Sequence, residues 1–265
     1  MAKTISSPHN KTVKHLLRLQ EKSRHRRKEG LFIVEGVREI QLALNANYQA
    51  QQIFACPEVC PPEALASLTR QFPDLIEISE QVYKKIAYRS STEGVLALMQ
   101  SKSHHLDQLT LSCEKPLILV AEAPEKPGNI GALLRTADAA NADAVLIANP
   151  RTDLYNPNII RSSVGCVFTT PIAMGSTEEI IQFLQQHHIN IYCATLQASV
   201  TYTTQDYTKA TAIVVGTEAD GLNQIWRDNA TQNIIIPMQG QIDSMNVSVS
   251  AGILIFEAKR QRQFT

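Results

Sequence analysis

Three short polar constellations, each following an apolar run, hold the residue types of this 265-residue chain that could do chemistry. The first is Pro127-Gly128-Asn129-Ile130-Gly131-Ala132-Leu133-Leu134-Arg135-Thr136-Ala137. Ile130, Leu133, Leu134 and Ala137 recur at i, i+3, i+4 and i+7, the packed face of a helix, and Asn129 is read as its N-cap. Arg135 lies five positions after Ile130, about 140° around that helix, so it points away from the core, where a guanidinium serves solubility or grips an anion. The second constellation, Gly216-Thr217-Glu218-Ala219-Asp220-Gly221, ends a buried strand with two glycines five apart. Such a turn at the carboxyl end of a parallel strand is where ligands bind. It is neither G-x-G-x-x-G nor a P-loop, and a carboxylate at Glu218 repels phosphate but suits a hydroxyl or amino group. The third runs from Ile236-Pro237-Met238 to Ser244-Met245-Asn246. Pro237 stops a strand there, and Ser244 or Asn246 can cap the helix that follows.

The elements that must carry these turns form two α/β units. In the first hundred residues, apolar runs at 31–34, 52–55, 75–78 and 94–98 read as strands, and helical spacing fills 37–44, 62–71 and 80–87. A polar stretch at 100–105 is read as a linker, which divides the chain into 1–105 and 106–265. Beyond it, near-continuous apolar runs at 117–120, 144–147, 189–194, 212–215 and 234–236 predict parallel strands buried on both faces. A long last helix starts at about Asn246 and carries no charged residue through Phe256. A helix apolar all round must be buried, and a second subunit is one candidate for its cover.

Composition narrows the classes. Hydrophobic residues at 44% and charged residues at 19%, without a low-complexity tract, exclude a disordered chain. Five scattered cysteines form no disulfide framework and no zinc pattern, no apolar run is long enough to span a membrane, and the N-terminus lacks the apolar core of a signal peptide. A cytoplasmic protein without a metal or a membrane partner is expected. The net charge is zero, yet residues 1–30 carry nine lysines and arginines against two glutamates. That basic arm, with Arg24, Arg26 and Arg27 at its centre, is the asymmetry expected where a polyanion is held at one end.

Taken together and in order, Asn-Ile-Gly-x-x-x-Arg-Thr-Ala, Gly-x-Glu-x-x-Gly-Leu, Ile-Pro-Met and Ser-x-Asn-Val-Ser resemble the SpoU/TrmH branch of the SPOUT RNA methyltransferases over about residues 115–262. The N-terminal part, from Ile5-Ser6-Ser7 through Phe32-Ile33-Val34-Glu35-Gly36 to Thr92-Glu93-Gly94-Val95, is similar to the ribosomal-protein-like substrate-binding domain such enzymes carry. The resemblance implies an α/β fold whose parallel-sheet domain is tied in a trefoil knot, a homodimer, and S-adenosylmethionine-dependent methylation of a ribose 2′-hydroxyl in structured RNA, rRNA ahead of tRNA. It implies that Thr195, Leu196, Gly216, Gly221, Ile236, Met238 and Met245 contact the methyl donor, and that Asn129, Arg135, Glu218, Ser244 and Asn246 form the catalytic set. Met245 departs from the leucine more usual there, an apolar exchange of similar volume.

The chemistry needs alignment of the donor with the hydroxyl, and a place for the hydroxyl proton. An arginine is protonated throughout the working pH range. Arg135 is therefore read as gripping the neighbouring phosphate and stabilising charge on the attacking oxygen, with Asn129 and Glu218 orienting ribose or arginine, and Ser244 and Asn246 fixing the turns. A non-catalytic RNA-binding protein would share the basic arm but has no need of the glycine turn and the Ser-x-Asn turn together. A conventional nucleotide enzyme would show a glycine fingerprint after the first strand of a domain, which is absent.

Overall fold

The computed structural model describes residues 3–88, 93–197, 199–217 and 220–264. It divides into two units: Met1–Ser103 with Asp153–Arg161, and His104–Thr152 with Ser162–Thr265. The first unit takes a segment from the middle of the chain, where the sequence reading has two continuous spans.

In the first unit the chain runs β1 (Lys3–Ile5), α1 (Lys11–Glu21), α2 (Ser23–Glu29), β2 (Leu31–Glu35), α3 (Val37–Asn45), β3 (Ala50–Ala55), α4 (Pro62–Gln71), β4 (Ile76–Ile78), α5 (Glu80–Ile86) and β5 (Val95–Gln100). The sheet order is β1-β4-β3-β5-β2. Strands β1, β4 and β3 are parallel, and β5 runs antiparallel to both β3 and β2. The basic arm is a working part of this unit. Val13, Leu16 and Leu19 form the buried stripe of α1 and pack with Ile33, Phe54, Ile78 and Val82. Asn10 caps α1 by accepting a hydrogen bond from the Thr12 amide at 2.8 Å.

Arg26 corrects the sequence reading. Only 4% exposed, it donates to the Asp153 carboxylate and to the Leu19 and Gln20 carbonyls at 2.6 and 2.8 Å. The guanidinium thus closes the end of α1 and neutralises a buried carboxylate, which leaves it no exposed face for a phosphate. Arg24 and Arg27 stay exposed. Two residues beyond Asp153, Tyr155 stacks on Phe32 with ring centroids 4.1 Å apart, and its hydroxyl accepts from the Lys102 amide at 3.0 Å. No local periodicity signals this pairing, because its halves lie more than a hundred residues apart.

The second unit is built on β6 (Leu117–Glu122), α6 (Pro127–Ala139), β7 (Ala144–Ala148), α7 (Pro157–Ser162, most of which belongs to the first unit), α8 (Cys166–Thr169), β8 (Ile172–Gly175), α9 (Thr177–Gln186), β9 (Asn190–Ala194), β10 (Val200–Thr201), β11 (Thr211–Val215), α10 (Gln224–Asn229), β12 (Gln232–Ile235) and α11 (Val247–Gln261). The seven strands are all parallel, in the order β10-β12-β9-β11-β6-β7-β8. Every residue of β6, β7 and β11 is buried, as their unbroken apolar runs require. The sequence reading does not include the short strands β8, whose apolar run is only Ile172-Ala173-Met174, and β10, which is Val200-Thr201. Helix α11 lies on α6 and the sheet through Ala251, Leu254, Ile255 and Ala258. Within one chain it is not buried all round, since Val249 and Phe256 remain 51% and 42% exposed.

The role of Arg26 is directly testable. Arg26→Ala strands Asp153 in a site where that carboxylate is 7% exposed, and it should cost about 3–5 kcal/mol in urea unfolding. Arg27→Ala, at the exposed neighbour, should change stability by less than about 0.5 kcal/mol. Equal effects of the two would contradict the assignment.

Candidate active site

Strands β12, β9 and β11 are adjacent and parallel, so their carboxyl ends open on one edge of the sheet. The loops leaving them, with the approach to α11, enclose a cavity of about 450 Å³. Thr195, Leu196, Gly216, Gly221, Ile236, Met238 and Met245, the residues expected to contact a donor, all line it, and so does Ser244. Its floor is apolar, from Ala194, Val215, Leu222 and Ile234.

One wall is shaped by a steric constraint. Thr217 and Gly221 exchange both amide-to-carbonyl hydrogen bonds, at 3.1 and 3.2 Å, and the Thr217 hydroxyl accepts from the Asp220 amide at 3.0 Å. This tight loop folds back on Gly216, where a Cβ would stand 2.2 Å from the Gly221 carbonyl carbon. Gly221 itself sits at φ +67°, in the left-handed region. The two glycines five apart are thus two halves of one close approach. Glu218 lies outside the described residues.

The polar set expected to be catalytic is divided among three places. Ser244 faces the cavity. Asn246 is the N-cap of α11, accepting from the Ser248 amide at 2.9 Å, and its side-chain amide donates to Asn129 Oδ1 at 3.2 Å. Asn129 is not the N-cap of α6, which starts two residues earlier at Pro127; it sits in the first turn and joins α6 to α11 instead. Arg135 is exposed on α6, outside the cavity lining, and forms no hydrogen bond or ion pair among the described residues.

Other polar groups of this edge were missed in the sequence. Asp220, Arg227 and Asp243 line the cavity. Glu122, at the end of β6, is 6% exposed and accepts from the Trp226 indole at 2.6 Å, the Thr177 hydroxyl at 2.7 Å and the Asn149 amide at 3.0 Å. It pins α10, through a fully buried tryptophan, beside the cavity. A carboxylate closing a five-residue apolar run was the available signal, and its partners lie 27 to 104 residues further along the chain. Among the described residues no cluster of His, Cys, Asp and Glu could hold a metal ion, and no helix is long and apolar enough to cross a membrane.

Comparison with known proteins agrees with this geometry. Residues 10–97 match the MRM3-like substrate binding domain, and residues 116–256 match the SpoU rRNA Methylase family. The 23S rRNA (guanosine(2553)-2′-O)-methyltransferase RlmP of Bacillus subtilis (strain 168) is 26% identical over 97% of this chain and 99% of its own length. An RNA 2′-O ribose methyltransferase of known crystal structure is 40% identical, with a TM-score of 0.86 over 98% of this chain and 99% of that one. The AdoMet-bound rRNA methyltransferase from Sinorhizobium meliloti is 28% identical, with a TM-score of 0.88 over 98% of both chains. A family match across more than half of the sequence, on the unit whose parallel strands build the cavity, shows that this chain belongs to the SpoU rRNA methylase family.

Proposed function

We propose that this protein transfers a methyl group from S-adenosylmethionine to a ribose 2′-hydroxyl of structured RNA, and specifically of rRNA. The observation that carries the reading is the convergence of seven residues from three strand ends on one cavity, whose volume suits a small-molecule ligand. RlmP acts on 23S rRNA and the S. meliloti enzyme binds the donor, which supports rRNA as substrate class and S-adenosylmethionine as cofactor. The reading includes a trefoil knot where the loops after β9, β11 and β12 come together, and a cytoplasmic location, supported by five free thiols.

The donor supplies a methyl group made electrophilic by the sulfonium. The residues of this chain supply alignment and electrostatics. Backbone groups around Gly216, Ile236 and Met238, with Thr195, Leu196, Gly221 and Met245, hold the adenosyl portion. Arg135 grips a phosphate next to the target ribose and stabilises negative charge gathering on the attacking oxygen. Ser244 and the Asn129–Asn246 bridge fix the turns, and Glu218 orients the ribose or Arg135.

Arg135 does not reach the cavity within its own chain, and α11 leaves Val249 and Phe256 in solvent. A homodimer seated on that helix covers the apolar face and can bring an arginine to a donor site of the other subunit. Arg24 and Arg27, the exposed members of the basic cluster, contribute RNA affinity.

Arg135→Ala should leave donor binding and thermal stability unchanged while single-turnover methylation falls about 100-fold or more, and Arg135→Lys should rescue it poorly because lysine lacks the planar fork. Wild-type rates from Arg135→Ala would remove the residue from the mechanism. Light scattering should give twice the 29.4 kDa chain mass, and Phe256→Glu should shift the protein toward monomer with loss of methylation; a fully active monomer contradicts the dimeric site. Neutralising Arg24 and Arg27 should weaken RNA binding and lower the log–log salt slope by about 0.7–0.9 for each phosphate no longer held, with donor affinity untouched. An unchanged slope would show that the two arginines are merely solvated.

A further inference from the structure

Arg227 is a half-buried cation on the wall of the cavity whose charge no carboxylate balances among the described residues. One of its terminal nitrogens donates to Gln197 Oε1, and the other donates to Gln224 Oε1 at 2.6 Å. Both partners are neutral amides, Gln224 in turn donating to the Asp228 carboxylate at 2.5 Å, so the guanidinium is held in place without a direct ion pair among the described residues. A guanidinium has five N–H donors, and three remain after these two bonds. The preceding residue, Trp226, is locked by the Glu122 carboxylate, so the backbone that carries Arg227 is fixed from the core side.

The rest of the cavity's charge has a matching pattern. Its other charged lining residues among those described are Asp220 and Asp243, whose carboxylates carry no hydrogen bond or ion pair there. Among the described residues the wall therefore presents two negative charges and one positive. The amino-acid end of S-adenosylmethionine presents the inverse set, a carboxylate against an ammonium and a sulfonium, while its adenosine end is uncharged. Opposite signs placed around one cavity, on the exposed Asp220 and Asp243 and the half-buried Arg227, favour one orientation of a ligand over its reverse.

We infer that Arg227 is the carboxylate receptor of the donor site: its guanidinium takes the methionyl carboxylate, and Asp220 and Asp243 face the cationic groups. The assignment rests on the donor reading above. It makes Arg227 a binding residue that selects an intact amino-acid end and sets the direction in which the methyl group points. A preorganised fork is suited to that task, because little side-chain freedom is lost when the carboxylate arrives.

Isothermal calorimetry with S-adenosylmethionine and decarboxylated S-adenosylmethionine tests it without reference to catalysis. The wild-type protein should bind the decarboxylated donor about tenfold or more weakly, the loss expected for a charge-assisted hydrogen bond. Arg227→Ala should weaken S-adenosylmethionine by a similar factor and leave the decarboxylated donor within about twofold of wild type, so that the variant no longer distinguishes the ligands. Arg227→Lys, which keeps the charge without the fork, should fall between. If Arg227→Ala weakens both ligands equally, the residue merely shapes the cavity through Gln197 and Gln224, and the inference fails. It fails as well if neither affinity changes. A wild-type protein that binds neither ligand would overturn the donor reading itself, a result distinct from the other two.

Discussion

The close approach of two stretches of backbone, Gly216 against Gly221, is the constraint on which the cavity depends. With 2.2 Å between a would-be Cβ and the Gly221 carbonyl carbon, no side chain fits at Gly216, and the loop turns back at once. That return leaves peptide groups and short apolar walls around the space between β9, β11 and β12. It also leaves few positions from which a charged side chain can act, and this gives Asp220, Arg227 and Asp243 their weight.

Behind this loop, the unit's buried carboxylate has its partners. Glu122 is buried, yet three donors from α9, α10 and the turn after β7 satisfy it, so the carboxylate fixes where α10 sits instead of destabilising the sheet. In the first unit Arg26 and Asp153 follow the same rule, with two carbonyls completing the guanidinium's bonds. Either pair would be costly to break and of limited worth over an apolar substitute, which points to positional definition as their contribution. One fixes α10 beside the cavity, and the other fixes a mid-chain segment into the N-terminal unit.

Arg135 is the opposite case, an arginine that the fold leaves free. It stands on α6 without a partner among the described residues, close in sequence to Asn129 and its bridge to Asn246. For the phosphate-gripping role proposed for it, the absence of a competing carboxylate among the described residues and its exposure both count in favour. The apolar surface left on α11, at Val249 and Phe256, is the feature on which the proposed dimer rests.

Much of this protein was determined by local sequence. Short and near-continuous apolar runs marked four strands of the first unit and five of the second, and the order of Asn129, Arg135, Gly216, Gly221, Ile236, Ser244 and Asn246 carried the family resemblance. These features were legible because periodicity, turn chemistry and motif order act over a few residues. Tertiary structure alone decided the rest. Arg26 looks like its neighbours Arg24 and Arg27 in the sequence, but only the fold sets it against Asp153, 127 residues away, and turns a phosphate-binding candidate into a core cation. Asn129 read as a cap became a bridge because α6 begins earlier, at Pro127, and α11 is brought against it. Arg227 carried no local signal at all. Its meaning comes from the charges that the segments after β11 and β12 bring to one cavity, and a charge pattern in space has no counterpart along the chain.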